Sequence, residues 1–181
     1  LLVSKKKFKK VLVVLGGTSG ERAVSLQSGK ACIKALKKKK YNVKTFDPKF
    51  KNLNLIDKKN TEVIFNALHG KDGEDGIAQS YFEYLKIPYT HSGIISSYNC
   101  MNKIISKEIF IKNKILTPKY FVLKKLDFKK KLKRFLGNKK MKYPVIVKPI
   151  NEGSSLGVKI GKNLNDLKKF SKILFKKYNQ L

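Results

Sequence analysis

The sequence predicts an α/β protein in which a parallel sheet with flanking helices is followed by a second, smaller unit. Short apolar runs alternate with helical patterns over the first half of the chain, and this alternation is typical of parallel sheets. Glycine-rich turns follow two of the predicted strands, at 15–21 and 67–76. After about residue 96 the character changes to a long helical stretch. We therefore predict two domains, over 1–97 and 98–181.

The predicted elements follow from local patterns taken in chain order. In the first unit, short runs rich in apolar and branched residues predict strands at 9–16, 41–48, 61–70 and, briefly, 88–93. The helices between them are predicted within 17–40, where Val24, Ala31 and Ala35 share an apolar face with Cys32 and Leu36 beside them, and over 75–87. The second unit is predicted to contain one long helix over 96–115, a strand at 117–123, a helix over 128–137, a strand pair within 143–160 and a final helix capped by Asn163 or Asn165.

Composition fits a folded domain with an unusual surface. Hydrophobic residues make up 41% of the 181 residues, and the formal net charge is +30, which would suit a nucleic-acid partner. Only Arg22 and Arg134 are arginines, whereas proteins that recognise bases favour the bidentate arginine fork. We interpret the charge as a solvated lysine-rich surface. A basic nucleic-acid-binding protein, with a clustered lysine face and salt-sensitive DNA binding, is the alternative from another class.

Cysteines and apolar runs indicate the compartment. No apolar run approaches the roughly 18 residues of a membrane span, and Cys32 and Cys100 are far apart without metal spacing. Reduced thiols in a cytoplasmic protein are the simplest interpretation. The chain begins with Leu, and its second unit carries few strands and stops at a helix. We therefore expect a fragment of a longer protein.

The turn at 15–21 ends a predicted strand and opens a helix, a geometry that exposes backbone N–H groups and suits anions. It lacks the dinucleotide fingerprint, and Asp47, after the second strand, is the nearest acidic residue to the position that would bind a ribose. Glu21 has two interpretations. It could close a capping box with Thr18 or Ser19, or it could hold a substrate ammonium at the carboxyl end of the sheet.

His69 ends a predicted strand and precedes three glycines and three acidic residues within 70–76. Their spacing does not match a calcium loop, so a tight turn before the next helix is the favoured interpretation. A histidine in a strand is often part of the core. Because strands of such sheets point their carboxyl ends into a ligand crevice, a functional role is equally plausible here.

Lysines and glycines in the second unit suggest phosphate chemistry. Lys103 and Lys107 share a helical face, which by spacing alone indicates a solvated surface. The stretch 143–160 carries Lys148 at the end of a strand that we expect to be buried, where an ammonium needs an anionic partner. The glycines and serines at 153–157 then offer flexible backbone, hydroxyls and N–H donors, as a polyphosphate requires. An ordinary hairpin turn is the alternative.

Together these motifs resemble the D-alanine–D-alanine ligases, a family of the ATP-grasp superfamily. Four blocks carry the resemblance, in the family's order and spacing: LGGTSGERAVSLQSG, ALHGKDGEDGIAQ, IPYTHSGIISSYNCMNKIISK and YPVIVKPINEGSSLGV. The resemblance implies a parallel-sheet pre-ATP-grasp domain over 1–97. It further implies the first α+β subdomain of the ATP-grasp domain over 98–181, with the C-terminal subdomain absent.

The resemblance implies ATP-dependent joining of two D-alanines to D-alanyl-D-alanine through an acyl phosphate, for peptidoglycan precursors. It implies ATP and Mg²⁺ (or Mn²⁺) as cofactors, with metal ligands beyond residue 181 and none within the chain. The isolated chain is therefore expected to be inactive. D-alanine is the expected partner, without nucleic acid or membrane, and the full-length enzyme is expected to be a cytoplasmic homodimer.

The resemblance also assigns roles to individual residues. Glu21 resembles the carboxylate that holds the ammonium of the first D-alanine, His69 the histidine near the reacting carboxyl group, and Ser154 a serine beside the first alanine in the lid loop. The residues that resemble the nucleotide-binding set, two phosphate-gripping lysines and the glycine-rich lid, are Lys103, Lys148, Glu152, Gly153, Ser154, Ser155 and Gly157.

Four positions depart from the family pattern: Ala23, Asp72, His91 and Asn102 stand where Glu, Gly, Gly and Asp are usual. None of them is a predicted site residue. A ligase that uses D-lactate or D-serine as its second substrate stays open as an alternative, because most of the second-substrate pocket is expected outside this chain.

Overall fold

The computed structural model describes residues 8–136 and 142–181, and the chain divides into two units, Leu1–Asn99 and Cys100–Leu181. The elements of the first unit are β1 (Lys10–Val14), α1 (Arg22–Lys38), β2 (Asn42–Phe46), β3 (Val63–Asn66), α2 (Ile77–Tyr84) and the start of α3 (Ile94–Met101). Two short 3₁₀ helices, Leu53–Leu55 and Lys58–Asn60, connect β2 to β3. The elements of the second unit are α4 (Lys103–Lys112), α5 (Phe128–Leu136), β4 (Val145–Val147), β5 (Lys159–Gly161) and α6 (Leu164–Leu174).

A three-stranded parallel sheet in the order β2-β1-β3 forms the centre of the first unit. Val11 of β1 pairs with Val43 on one side and with Val63 on the other. The fourth predicted strand contributes only a single parallel bridge, between Ile64 and Tyr89. The α/β fold with a parallel sheet is confirmed. The loops that follow β1 and β3 carry Glu21 and His69.

The side chains of β1 alternate between the two faces of the sheet, so the core of the first unit has two layers. Leu12 and Val14 pack on one face with Ile64 and with the α2 residues Ala78 and Phe82. Val11 and Val13 pack on the other face, against partly buried residues of α1 and of the neighbouring strands. Because successive strand residues point to opposite faces, a continuous apolar run is needed when both faces are covered. This is why β1 contains no polar residue after Lys10.

Helix α1 turns a different face to the sheet from the one that Val24, Ala31 and Ala35 share. Val24 is 45% exposed, and Ala31 and Ala35 are exposed as well. The buried residues of α1 are Ser25 and Gly29. A Cβ at Gly29 would lie 2.8 Å from the side chain of Leu15, the residue that follows β1. Gly29 therefore lets α1 approach the sheet more closely than alanine or valine would allow at this position.

The long helix predicted over 96–115 is broken at Asn102. The Asn102 backbone is extended, and its side-chain oxygen accepts hydrogen bonds from the N–H groups of Ile104 and Ile105, at 3.0 and 3.2 Å. Asparagine is among the best N-cap residues because it satisfies N–H groups that have no intrahelical partner. The prediction of one helix is therefore wrong: α3 ends before Asn102 and α4 begins after it.

In the second unit, β4 and β5 form an antiparallel pair, and α6 packs on it through a core that includes Val147, Leu167 and Leu174. Asn163 caps α6 by accepting a hydrogen bond from the Asp166 N–H at 2.9 Å, which confirms one of the two predicted caps. The predicted strand at 117–123 is not assigned as a strand. Only its end pairs with the chain terminus, through two backbone hydrogen bonds between Leu123 and Leu181.

Candidate functional site

In the first unit, the carboxylate of Asp47, just after β2, stabilises the glycine turn that follows β1. Asp47 Oδ1 accepts hydrogen bonds from the Gly17 N–H at 2.9 Å and from Arg22 Nη1 at 3.0 Å, and Oδ2 accepts from Arg22 Nη2 at 2.7 Å. Burial alone would raise the pKa of Asp47. The hydrogen bonds from Arg22, the Lys49 N–H and the Gly17 N–H outweigh burial, and the pKa lies below its usual value. Asp47 therefore serves to shape the turn.

Ser25 fastens the other side of this turn. Its hydroxyl donates to the Ala67 carbonyl at 2.6 Å and accepts from the Gly16 N–H at 2.8 Å, and the residue is fully buried. Internal partners thus occupy the N–H groups of both Gly16 and Gly17. These two groups are not available to an anion, contrary to the prediction that this turn suits one.

Glu21 stands at the N-cap position of α1 but makes no side-chain capping hydrogen bond. The capping-box interpretation is therefore wrong. The residue is only 7% exposed, and its Oε1 is buried without a hydrogen-bond partner among the described residues. A Cβ at Gly70 would lie 2.9 Å from this oxygen, so the carboxylate rests directly on the Gly70 backbone. A buried carboxylate oxygen without a partner is rare, and it marks a position where a donor from outside the unit could bind.

His69 lies beside Glu21 in the loop after β3 and is oriented from two sides. The Ser28 hydroxyl lies 3.0 Å from Nε2, and Glu74 Oε1 lies 3.6 Å from Nδ1. The His69 carbonyl accepts a hydrogen bond from the Ser19 hydroxyl at 2.7 Å. The ring thus has a fixed orientation while about a third of its side chain stays exposed, 30% by area.

His91 approaches the same loop from the segment after Tyr89. Its backbone has a φ of 93°, a left-handed conformation that is strained for histidine. Its Nδ1 lies 3.1 Å from the amide nitrogen of Asn66. Partial burial and the nearby His69 lower the pKa of His91, while Glu74 acts in the opposite direction. Sequence reasoning noted His91 only as a departure from the family pattern.

The second unit contains a cavity of about 710 Å³. Several lysines line it, among them Lys103, Lys107 and Lys148, and most of the remaining lining residues are apolar, such as Phe110 and Ile146.

Lys103, at the start of α4, is bound by the backbone that follows β4. Its ammonium donates to the Ile150 carbonyl at 3.1 Å and to the Glu152 carbonyl. Burial and the neighbouring Lys148 lower the pKa of Lys103, and Glu152 partly offsets this. An ammonium has three N–H donors, so one donor remains after these two bonds.

Lys107 lies one turn further along α4. Its ammonium donates to Thr117 Oγ1 at 2.8 Å and to the Pro118 carbonyl at 2.6 Å, and it lies 5.3 Å from the ring centre of Tyr120. Burial and Lys148 lower the pKa of Lys107. The solvated-surface interpretation of this helical face is therefore wrong, because the ammonium groups of Lys103 and Lys107 both bind backbone carbonyls.

Lys148 follows the last residue of β4, and its side chain is exposed rather than buried as predicted. The alternation of β4 explains this, since Val147 points into the core and the next residue points away from it. The Lys148 ammonium makes no hydrogen bond or ion pair with a residue that the structure describes. Its charge is nevertheless close enough to lower the pKa of both Lys103 and Lys107.

The segment from Lys148 to Val158 joins β4 to β5, so the stretch is a hairpin with a long, shaped loop. Ser154 and Ser155 have φ values of 47° and 62°, and Gly157 has 72°. Both serines are exposed. A Cβ at Gly157 would lie 2.9 Å from Pro149 Cγ, so this glycine is required. Two consecutive non-glycine residues in left-handed conformations indicate strain of a kind that clusters at ligand-binding loops.

No group of three His, Cys, Asp or Glu side chains within residues 8–136 and 142–181 is placed to hold a metal ion. Over the same ranges, no helix has the length and apolar character to cross a membrane.

Known proteins resemble both units. A family model described as "D-ala D-ala ligase C-terminus" matches residues 109–181. The D-alanine–D-alanine ligase of Pelagibacter ubique (strain HTCC1062) is 49% identical over 177 residues, covering 94% of this chain and 58% of that protein. The chain belongs to the D-alanine–D-alanine ligase family. It spans about half the length of the curated relatives that it matches.

Solved structures of this family share the fold. The D-alanine–D-alanine ligase of Bacillus anthracis superposes with a TM-score of 0.77 at 36% identity, over 94% of this chain and 55% of that one. A structure of the same enzyme complexed with ATP has a TM-score of 0.72 at 32% identity, over 94% and 56%. The VanG D-Ala:D-Ser ligase of Enterococcus faecalis has a TM-score of 0.78 at 26% identity, over 96% and 61%. The predicted family and the ATP-grasp fold are confirmed.

The predicted site residues of this ligase-family chain fall into one group in each unit. Glu21 and His69 share a loop cluster in the first unit. The other predicted residues lie in the second unit, at the cavity or in the loop after β4: Lys103, Lys148, Glu152, Gly153, Ser154, Ser155 and Gly157. Their roles stay predictions.

The sequence does not single out Ser25, Ser28 or Tyr178, and it predicts neither the turn-shaping role of Asp47 nor the carbonyl contacts of Lys107. A signal existed for two of them, since Ser25 and Ser28 recur at helical spacing on the face of α1 that carries Gly29.

Proposed function

We propose that this chain takes part in ATP-dependent joining of two D-alanines to D-alanyl-D-alanine, for peptidoglycan precursors, in the cytoplasm. Family membership supports the reaction type. The observation that carries the proposal is the lysine-bordered cavity of the second unit, because its apolar walls suit a base and its ammonium groups suit phosphates.

In the first unit, Glu21 would receive the ammonium of the first D-alanine. Its Oε1, which has no hydrogen-bond partner among the described residues, is suited to a charged N–H donor, and burial strengthens such a pair. His69, fixed between Ser28 and Glu74, would lie near the reacting carboxyl group and stabilise charge there.

In the second unit, Lys103 and Lys148 would bind the phosphates. Lys103 is held by two carbonyls and offers its remaining N–H, while the exposed Lys148 can move to meet a phosphate oxygen. Burial and repulsion by Lys148 lower the pKa of Lys103, and a polyphosphate would offset both by supplying negative charge. ATP, when bound, supplies the phosphoryl group that activates the first carboxylate as an acyl phosphate.

The loop over 152–157 would cover the phosphates and exclude water. An acyl phosphate hydrolyses readily, so exclusion of water protects it. We propose that Ser154 and Ser155 donate hydrogen bonds and that the glycines let the backbone approach the phosphates.

The described residues do not fit a Mg²⁺ site, because no carboxylate cluster is placed for one. Mg²⁺ therefore enters this proposal only as a cofactor of the full-length enzyme, for which we also propose a homodimer. The relatives are ligases, so nothing favours the nucleic-acid-binding alternative.

Calorimetry with ATP and with adenosine tests the nucleotide site. We expect the chain to bind ATP and to bind adenosine more weakly, since the lysines contact only phosphates. Lys148→Met should weaken ATP binding about tenfold or more, because a hydrogen bond to a charged group contributes about 1.5–3 kcal/mol.

Lys168→Met is the matched control. Lys168 is exposed on α6, and its loss should change ATP affinity less than twofold. An ATP affinity that Lys148→Met and Lys168→Met reduce equally would refute the assignment and would indicate attraction by net charge.

A further inference from the structure

Glu152 joins three parts of the second unit through separate atoms. Its carbonyl accepts from the Lys103 ammonium on α4. Its side-chain Oε1 accepts from the Tyr178 hydroxyl at 2.9 Å and lies 3.4 Å from Lys177 Nζ, both beyond the end of α6. The residue opens the loop that carries Ser154 and Ser155. The side chain of Glu152 is thus occupied by the protein itself.

Tyr178 is a firm anchor for this bond. Its ring packs partly buried against the apolar core of the second unit, and its N–H donates to the Leu174 carbonyl at 2.9 Å. Lys177 is a weaker partner, because 70% of its side chain is exposed and exposed ion pairs contribute little. The hydroxyl of Tyr178 therefore determines where the Glu152 side chain lies.

The position of Glu152 matters for Lys103. Two carbonyls, of Ile150 and Glu152, direct the Lys103 ammonium. The Ile150 carbonyl also accepts the Lys103 backbone N–H at 3.2 Å, so it is fixed by α4. The Glu152 carbonyl lies at the start of the loop, and the Glu152 side chain bonds the hydroxyl of Tyr178, whose ring packs against the core.

We propose that Tyr178 is a positioning residue of the nucleotide site: through Glu152 it holds the base of the 153–157 loop and directs the Lys103 ammonium toward a bound phosphate. This inference rests on the proposed nucleotide site of the second unit. Loss of the anchor leaves the loop to be ordered by the ligand, and a binding loop that is ordered only on binding lowers affinity.

Three variants isolate the anchor. Tyr178→Phe removes only the hydroxyl and keeps the ring in the core. Glu152→Ala removes the acceptor, and Glu152→Gln keeps an oxygen that can accept from Tyr178. Lys177→Met is the control for the exposed ion pair. Each is compared with the wild-type chain by thermal unfolding, by amide hydrogen exchange at 153–157 without nucleotide, and by calorimetry with ATP, tripolyphosphate and adenosine.

We expect Tyr178→Phe and Glu152→Ala to exchange about tenfold faster at 153–157 and to bind ATP and tripolyphosphate about three- to tenfold more weakly. Lys177→Met should stay within about twofold of wild type, and Glu152→Gln should lose less than Glu152→Ala, because its amide oxygen can still accept from the Tyr178 hydroxyl. Adenosine binding should not change, because the anchor acts only on groups that meet phosphates.

Wild-type exchange and affinity in Tyr178→Phe would overturn the proposal. So would an equal loss for adenosine, which indicates general damage to the unit, or a Glu152→Gln variant as weak as Glu152→Ala. Failure of the wild-type chain to bind ATP would instead refute the proposed nucleotide site, while the exchange measurement still decides whether the anchor exists.

Discussion

Replacing Glu21 by glutamine should stabilise the chain and weaken D-alanine binding at the same time. Glu21 is 7% exposed, and Oε1 has no hydrogen-bond partner among the described residues. A buried polar atom without a partner costs about 1–3 kcal/mol, and more when it is charged. Glutamine keeps the shape and removes the charge. The free energy of unfolding should therefore rise by about 1 kcal/mol.

The effect on substrate has the opposite sign. A charge-assisted hydrogen bond between the carboxylate and the D-alanine ammonium contributes about 1.5–3 kcal/mol. Its loss corresponds to an affinity reduced about 10- to 150-fold. Calorimetric titration with D-alanine measures this change, and chemical denaturation without D-alanine measures the stability.

Glu108→Gln provides the control, because Glu108 is exposed on α4 and its substitution changes the net charge equally. Its effect on stability should stay within about 0.5 kcal/mol. Destabilisation by Glu21→Gln would mean that the carboxylate has a structural partner. Unchanged D-alanine binding would refute the role of Glu21.

Two further predictions concern the surroundings of this carboxylate. Ser25→Ala leaves the buried Gly16 N–H and Ala67 carbonyl without their partner. In a denaturation experiment it should lower the free energy of unfolding by about 2–4 kcal/mol. Ser80→Ala is the control: the exposed Ser80 hydroxyl bonds the Ile77 carbonyl, and its loss should lower the free energy of unfolding by less than about 0.5 kcal/mol. Burial and His69 lower the pKa of His91, so the stability that neutral His91 contributes is present above pH 6.5 and is lost as the pH falls through its lower folded pKa. NMR titration of the two histidines measures this, and a His91 midpoint at or above 6.5 would contradict it.

The sequence predicted what local patterns determine. The apolar run of β1 and the polar cap Asn163 each depend on a few neighbouring residues. The broken helix at Asn102 was also within reach, because asparagine before a helical run is a good cap. The helical periodicity continues on both sides of Asn102, so periodicity alone predicts one helix where the cap divides two.

Contacts between distant residues could not be predicted in this way. The Ser25–Ala67 bond spans 42 positions and the Glu152–Tyr178 bond spans 26. Lys103 and Lys107 show how a missing long-range contact leads to a wrong prediction. Their spacing is the same as that of a solvated helical face, and only the carbonyls supplied by other segments show that their ammonium groups are directed.

The two groups of site residues share a physical feature that explains why a ligand would bind there. In the first unit a buried carboxylate oxygen lacks a donor among the described residues, and in the second unit burial together with the charge of Lys148 lowers the pKa of Lys103 and Lys107. Both arrangements cost free energy in the absence of ligand, and a ligand of opposite charge would relieve each of them. An ammonium is the complement of the first group and a polyphosphate is the complement of the second. Unfavourable local charges are expected where function requires them. Here the unpaired negative charge suits the ammonium of an amino acid, and the crowded positive charges suit the phosphates of ATP.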